Sequence, residues 1–189
     1  KDGKYLLWVK DRIDLEAFYP AEVGLKALKG EVPDLQTDQS TKENIAKADF
    51  MATELKQVKK TDQALNLEMK RLTSRFIVKI AGFNSEFPAD AKVENVKFIH
   101  GAFTPYAEGD GKTGSTYTVL VPGDAAYNTI SLEVGGKTMT AKLSEITYDS
   151  GLSYTYRLTV GKEKLETTEV TVSDWTGSAV IPGGEAKAN

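Results

Sequence analysis

Two runs of alternating residues near the C-terminal end constrain the fold of this chain more than any other feature. Large apolar residues occupy every second position of these runs: Tyr154, Tyr156, Leu158 and Val160, then Val170 and Val172. Alternation of aromatic and β-branched residues with period two is typical of strands that bury one face. The mostly polar residues 161–169 join the runs, so we predict two neighbouring strands, most simply a hairpin. The second run ends at Trp175, where we expect an inward ring to close one end of the packed sheets.

The same alternation continues upstream. It recurs over residues 119–121, 130–134 and 139–143, and a pair of glycines at 135 and 136 separates the last two runs. A glycine pair between alternating runs is a strong hairpin signal. Several such strands with glycine turns indicate an all-β, antiparallel sandwich. We expect the six alternating residues above to be buried in one sheet with three others: Ile130, Leu132 and Val134.

The N-terminal part alternates less regularly. Residues 5–9 predict a short strand, and residues 15–19 predict a second one after the interrupting residues 11–14. These are two short strands, or one strand with a break, and they end at Pro20 because proline cannot donate to a ladder. Residues 21–48 contain glycine, proline and a polar run, which predicts a loop.

Residues 65–80 predict two further strands whose phases differ. The first set of alternating residues is Leu65, Leu67 and Met69, and the second is Phe76, Val78 and Ile80. A slip of one residue reverses the buried face, so we expect a bulge or a change of sheet near residues 70–74.

Residues 45–58 have two interpretations. Their apolar residues lie at helical spacing, and Ser40 or Thr41 is a suitable cap for a helix that starts nearby. The alternative is a strand over residues 49–58, although its alternation is poor.

Short motifs in a fixed order resemble those of a known family. FYPAE, TDQST and ADFMA begin at Phe18, Thr37 and Ala48, and the C-terminal runs contain TVGK and a Val-Thr-Val strand that ends in Asp174-Trp175. These motifs are similar in order and rough spacing to those of the fimbrillin-like (FimA/Mfa-type) surface proteins of Bacteroidales. The match extends from Phe18 to Trp175, which is most of the chain.

This resemblance implies a strand over residues 49–58 and two antiparallel β-sandwich domains in tandem, of the transthyretin-like, Greek-key type. In the family, further strands precede the segment that FYPAE resembles, whereas here that segment begins at Phe18. We therefore expect an incomplete N-terminal domain. Residues 105–115 are the most linker-like stretch, which predicts an N-terminal β domain over 1–108 and a C-terminal β-sandwich over 109–189.

Composition excludes several kinds of protein chemistry. The chain has no cysteine, which excludes disulfides, thiol catalysis and cysteine-ligated zinc, and its one histidine is His100. A net charge of −3 gives no basic footprint for nucleic acid, and no apolar run is long enough to cross a bilayer. The acidic run around Asp110 lacks the ligand spacing of a calcium loop. We expect no enzyme activity, no cofactor and no metal site.

The resemblance also implies a function and a location. Family members are pilus subunits or adhesins that mediate cell adhesion, and they assemble by β-strand exchange. They are exported, usually as lipoproteins anchored through an upstream cysteine. We therefore expect an extracellular protein at the outer-membrane surface of a Gram-negative bacterium. Its expected partners are other pilus subunits and a host or bacterial surface protein or glycan.

The tail after Trp175 contains a short apolar segment, with two alternative roles. The segment comprises Ser178, Ala179, Val180 and Ile181, and Pro182 follows it. It is either a frayed end that packs on its own domain or a donor strand that adds to the N-terminal sheet of a neighbour.

The rival function is a glycan-binding or glycan-processing β-sandwich at the same surface. Aromatic residues that could line a glycan face are Tyr5, Trp8, Phe18, Tyr19, Tyr154, Tyr156 and Trp175. At alternating strand positions such residues are more often core. An exposed aromatic pair with convergent carboxylates would favour the rival.

Overall fold

The computed structural model describes residues 9–28, 34–61, 63–99, 102–122, 129–143, 147–161 and 165–175, except for the side chains of residues 25, 27, 28 and 166–170. In chain order the elements are β1 (Arg12–Tyr19), α1 (Ala21–Leu28), α2 (Lys42–Lys47), β2 (Met51–Lys59), β3 (Lys70–Arg71), β4 (Thr73–Phe83), β5 (Glu94–Phe98), β6 (Tyr106–Glu108), β7 (Thr116–Pro122), β8 (Thr129–Val134), β9 (Lys137–Lys142), β10 (Leu152–Val160) and β11 (Leu165–Asp174). The all-β prediction is confirmed. No helix in these ranges is long and apolar enough to span a membrane.

Two sheets form a sandwich in the C-terminal part. The larger has five strands in the order β11-β10-β4-β7-β6, and the smaller has three in the order β5-β8-β9. Neighbouring strands are antiparallel except β4 and β10, which are parallel. The sheets meet in one apolar core, where the rings of Phe76 on β4 and Phe98 on β5 pack edge to face with centroids 4.9 Å apart. We call these two sheets the sandwich.

The alternation at the C-terminal end predicts the inner face of β10 correctly. Tyr154, Tyr156, Leu158 and Val160 are buried, whereas Arg157 is exposed. The hairpin is also confirmed, because β10 and β11 pair antiparallel and place Tyr154 opposite Val172.

Two expectations for this core are wrong. Ile130, Leu132 and Val134 are buried, but they lie on β8, in the sheet across the core from β10. Val172 is 49% exposed although its ladder partner Tyr154 is buried. β11 is the outermost strand of the wider sheet, so the narrower facing sheet leaves Val172 partly uncovered. The side chain of Val170 lies outside the described residues.

A third sheet precedes the sandwich. It has three strands in the order β1-β2-β3, and we call it the N-terminal sheet. β1 pairs antiparallel with β2 from Arg12 to Tyr19. Its end just before Pro20 is as predicted, but it begins at Arg12, within residues 11–14, where the sequence predicted an interruption. Residues 5–8 of the first predicted strand lie outside the description. The family expectation of two sandwich domains in tandem stays a prediction for this part of the chain.

Residues 21–48 are not a simple loop. α1 occupies Ala21–Leu28, and its Gly24 sits against Phe18, because a Cβ at Gly24 would lie 3.0 Å from that ring. α2 occupies Lys42–Lys47, and the Thr41 side chain caps it by accepting a hydrogen bond from the backbone N–H of Asn44 at 3.1 Å. The loop prediction missed α1 because Gly24 serves close packing there rather than a turn.

Both interpretations of residues 45–58 are right in part. The helix ends at Lys47, and the strand suggested by the resemblance is β2, Met51–Lys59. Ala48, Asp49 and Phe50 separate the two elements, and the first two are buried. A helical pattern that continues through this break therefore reflects two short elements that bury different faces.

The change of sheet near residue 72 is confirmed. β3 belongs to the N-terminal sheet and β4 to the sandwich, and only Leu72 lies between them. Phe76, Val78 and Ile80 are buried on the inner face of β4. The predicted strand over Leu65, Leu67 and Met69 is wrong, since residues 63–69 form no regular structure and Leu67 is exposed.

Residues 105–115 contain β6 and a tight turn into β7. The turn requires glycine at position 111, where φ is +90° and a Cβ would lie 2.4 Å from the carbonyl oxygen of Val93. β6 and β7 pair antiparallel, and β7 pairs with β4. The five-stranded sheet thus contains strands from both sides of the predicted boundary between residues 1–108 and 109–189. The division into two domains at this boundary stays a prediction.

Candidate assembly surface

The N-terminal sheet is much less buried than the sandwich. No residue of β1, β2 or β3 is fully buried, whereas β4 buries alternate side chains completely. The ladder places Phe18 and Ala52 on one face and the other apolar residues of β1 and β2 on the opposite face: Ile13, Leu15, Ala17, Tyr19, Met51, Leu55 and Val58. All of them are half-buried. This sheet therefore presents a continuous apolar face with partial cover.

One edge of β2 is largely unpaired. β1 occupies one side along the whole of β2, but β3 contributes only two pairs on the other side, Met51 with Arg71 and Ala52 with Lys70. In the described part of the chain, no strand pairs with this second edge from Thr53 to Lys59. Unpaired N–H and C=O groups along a strand are a template for pairing with another segment.

The opposite side of β2 is fixed by a bulge. The register with β1 shifts between Ile13 and Leu15, and Gln57 adopts a φ of 54°. An Asp14 carboxylate oxygen accepts the backbone N–H of Gln57 at 2.7 Å, and this hydrogen bond lowers the pKa of Asp14 below its ordinary value. Bulges pin the register of a ladder. The register between β1 and β2 is thus fixed, so a further strand could pair only with the other edge of β2.

A buried glutamine ties the N-terminal part to the sandwich. The Gln39 amide donates to the Leu120 carbonyl at 2.8 Å and accepts from the Leu120 N–H at 2.7 Å. Beside it, the Gln39 N–H donates to the Thr104 carbonyl at 2.9 Å. The side-chain amide thereby pairs with β7 as a neighbouring strand would, at a point that β6 does not reach.

A second apolar cluster lies between the two parts, and we call it the junction. It contains Ile45, Ala48, Leu120 and Trp175, with Leu35 and Tyr106 packed against it. Trp175 is 4% exposed. The sequence correctly predicted an inward ring, but the ring packs in the junction and does not belong to the main core of the sandwich.

An ion pair lies beside the ring of Trp175. Arg71 donates to both carboxylate oxygens of Asp49 at 3.1 and 3.4 Å, and its third nitrogen donates to the Trp175 carbonyl at 3.2 Å. The Arg71 guanidinium carbon also lies 4.1 Å from the centroid of the Trp175 ring, at cation–π distance. One side chain on β3 thus binds both Asp49, shortly before β2, and Trp175, the first residue after β11.

Burial sets the electrostatics of this cluster. Burial raises the pKa of Asp49 above its ordinary value, and the charge and hydrogen bonds of Arg71 offset part of that rise. Arg75 stacks on the same ring at 5.1 Å, and burial, with the nearby charge of Arg71, lowers its pKa. A buried carboxylate without its cation is costly, so this pair depends on both members being in place.

Most of the site residues predicted from the sequence lie away from the N-terminal sheet and the junction, or outside the residues that the structure describes. The candidate donor segment Ser178, Ala179, Val180 and Ile181 lies outside the described residues, as does His100. Asp110 accepts the backbone N–H of Lys112 at 3.2 Å, so its carboxylate stabilises the β6–β7 turn. In the described ranges, no group of three or more His, Asp or Glu side chains could hold a metal ion.

The aromatic residues considered for glycan binding are largely internal. Tyr154 and Tyr156 are buried in the sandwich beside Tyr148, whose hydroxyl lies 3.0 Å from that of Tyr156. Phe18 and Tyr19 are half-buried on the N-terminal sheet, and Tyr5 and Trp8 lie outside the description. The exposed large apolar side chains in the described part include no aromatic residue.

Sequence reasoning missed three residues that organise this region. Gln39 and Asp49 both occur within the motifs TDQST and ADFMA, which carried the resemblance but no assigned role. Arg71 follows the alternating residues 65–69 and has no local signal of its own. Its importance depends on Trp175, which is 104 positions away in the sequence.

Comparison with known proteins agrees with this architecture. Residues 1–175 match the sequence model of the fimbrillin-like family. A putative cell adhesion protein of Bacteroides uniformis shares 17% identity at a TM-score of 0.54, covering 87% of this chain and 73% of that one. A second, from Bacteroides ovatus, shares 14% at a TM-score of 0.53, covering 89% and 69%. At these identities the likeness shows a shared fold. No curated protein sequence matches. Because the family match extends over nearly the whole chain, this protein belongs to the fimbrillin-like family.

Proposed function

We propose that this protein is a fimbrial subunit or adhesin at the surface of a Bacteroidales cell, and that it joins neighbouring subunits by β-strand addition. Family membership supports the fimbrial role. The single observation that supports strand addition is the N-terminal sheet, which combines a half-buried apolar face with an edge from Thr53 to Lys59 that no strand of the described residues pairs with. In strand addition, main-chain hydrogen bonds supply affinity, and alternate side chains in pockets set the register.

The proposed donor is the segment comprising residues 178–181. It follows Trp175, which is held at the junction beside β3 and close to the start of β2. A short apolar segment suits the half-buried face of the N-terminal sheet. We propose that the segment of one subunit pairs with the open β2 edge of the next.

The role is structural, and we propose no catalytic activity. The family is one of fimbrial subunits, and the side chains that the structure brings together here form packing and ion-pair contacts. Location at the outer-membrane surface, with attachment through a lipid anchor upstream of the folded part, is a proposal from family membership. Binding of a host or bacterial surface protein or glycan is likewise a proposal from family membership.

Light scattering on three variants tests the donor role. Truncation after Gly177 and the substitution Val180→Asp are both expected to reduce association, because one removes the segment and the other places a charge in an apolar slot. Val172→Asp is the matched control, since it puts the same charge on a partly exposed valine of β11. The donor role is wrong if both tail variants associate as the wild type does.

A further inference from the structure

We propose that Asp49, Arg71 and Trp175 form a latch through which the C-terminal end of the sandwich controls whether β3 stays paired with β2. When Trp175 leaves the junction, β3 detaches and the open edge of β2 extends to Met51. The latch is a property of the single chain. Only its consequence for subunit assembly rests on the function proposed above.

β3 is too short for its backbone pairing with β2 to be stable alone. It has two residues and two ladder pairs with β2, and the next residue, Leu72, adds one backbone hydrogen bond to the Phe50 carbonyl at 2.8 Å. The side chain of Leu72 is 45% exposed, so it contributes little packing. Segments with few buried contacts open locally well before the whole protein unfolds.

The Arg71 side chain anchors β3 in addition to these backbone pairs, while the Ser150 hydroxyl holds the adjoining Leu72 by donating to its carbonyl at 3.1 Å. The Arg71 side chain is 20% exposed and bonds to Asp49, whose side chain is 5% exposed and which lies two residues before the start of β2. The same guanidinium bonds to the Trp175 carbonyl and stacks on its ring. Charge-assisted hydrogen bonds of this kind are stronger than neutral ones, and each depends on the position of Arg71.

Trp175 excludes water from the ion pair between Arg71 and Asp49. Its ring packs with Ile45, Ala48 and Leu120 at the junction. Removal of the ring would expose Arg71 to water, which screens its attraction to Asp49 and competes for its hydrogen bonds. The state of Trp175 and the pairing of β3 are therefore coupled, and such a coupling acts equally in both directions.

Amide hydrogen exchange in a Trp175→Ala variant tests the coupling in the monomer. The Leu72 amide reports on β3, and the Ile80 amide, which donates to the Ser115 carbonyl at 2.9 Å, reports on the sandwich. We expect exchange at Leu72 to rise about 10–100-fold, the factor that corresponds to loss of a charge-assisted hydrogen bond, with Ile80 unchanged. An unchanged Leu72, or an equal rise at both amides, would overturn the latch.

A matched arginine pair gives the reverse test and covers the case in which Trp175→Ala does not fold. In a Trp8→Phe background, Trp175 is the one remaining tryptophan. Arg71→Met is expected to increase acrylamide quenching of Trp175 and to speed exchange at Leu72. Arg75→Met also removes a guanidinium from the ring, but Arg75 lies on β4 and its Nε donates to the Ser153 hydroxyl on β10 at 3.0 Å, so Leu72 should exchange as in the wild type. Unchanged quenching in Arg71→Met, or equal effects of the two variants on Leu72, would contradict the latch.

Discussion

The sandwich and the N-terminal sheet differ in how completely they bury their strands. In the sandwich, β4 and β10 lie inside a five-stranded sheet, and their inward side chains are between 0% and 2% exposed. In the N-terminal sheet no strand residue reaches full burial, and among the residues that the structure describes, only β3 pairs with the second edge of β2, at Met51 and Ala52. The sandwich has the features of a self-sufficient fold, while the N-terminal sheet retains the features of a binding surface.

The largest expected difference comes from one leucine in each region. Leu158→Ala should lower the free energy of unfolding by about 2–5 kcal/mol, the range for large-to-small changes in a packed core. Leu55→Ala, on the half-buried face of β2, should cost about 1 kcal/mol or less, because less apolar surface returns to water. Chemical denaturation of both variants measures the contrast, and equal losses would remove the distinction between the two regions.

Alkaline pH should weaken the sandwich selectively. Burial raises the pKa of Tyr148, its hydrogen bond with Tyr156 adds to the rise, and burial also raises the pKa of Tyr156. The folded state therefore keeps both phenols protonated at a pH where the unfolded chain loses the protons. Their contribution to stability is present below about pH 10 and declines above it.

Denaturant midpoints at about pH 8 and about pH 11 give the measurement. The midpoint should be lower at the higher pH in the wild type, and it should fall less in Tyr148→Phe, which has no phenol at position 148 to titrate. A wild-type midpoint that stays constant over this interval would show that the phenols titrate alike in both states.

These two regions also differ in how far the sequence predicts them. In β10 the alternating Tyr154, Tyr156 and Leu158 give the inner face correctly because two opposing sheets impose a strict period of two. β2 alternates poorly, since neither face is fully buried, and only the motif resemblance indicated a strand there. The exposure of Val172 depends on the width of the facing sheet, which no local pattern contains.

The candidate site follows the same rule. The half-buried face of β1 is visible in its alternation, but the contact of Arg71 with Asp49 and Trp175 joins three distant parts of the chain. Gln39 is likewise polar and unremarkable in the sequence, although it is completely buried. Such long-range polar contacts depend on the topology, so residue patterns alone do not reveal them.

The link between the two regions should show a smaller effect. Gln39→Ala removes the partners of both Leu120 backbone groups, which should cost about 1–3 kcal/mol for buried groups left unsatisfied. Gln36→Ala is the control, because its side chain makes an exposed hydrogen bond to the Asp38 carbonyl and should stay within about 0.5 kcal/mol of the wild type. Thermal or chemical melts compare the two, and equal losses would show that Gln39 is not a specific tie.

The smallest effect is expected at the one histidine. His100→Ala should leave both stability and association nearly unchanged, because the chain has no second histidine and no cysteine with which to build a site. Metal analysis and light scattering of the variant measure this. A tightly bound metal that disappears with the substitution would contradict a purely structural role.

The central claim is that subunits meet at the N-terminal sheet and not at the free edge of the sandwich. Hydrogen exchange compared between unassembled and assembled protein tests it at two edges, Thr53–Lys59 of β2 and Leu165–Asp174 of β11. The account predicts that β2 amides gain protection on assembly while those of β11 exchange at the same rate in both states. Protection gained along β11, with β2 unchanged, would place the subunit contact on the sandwich and contradict the account.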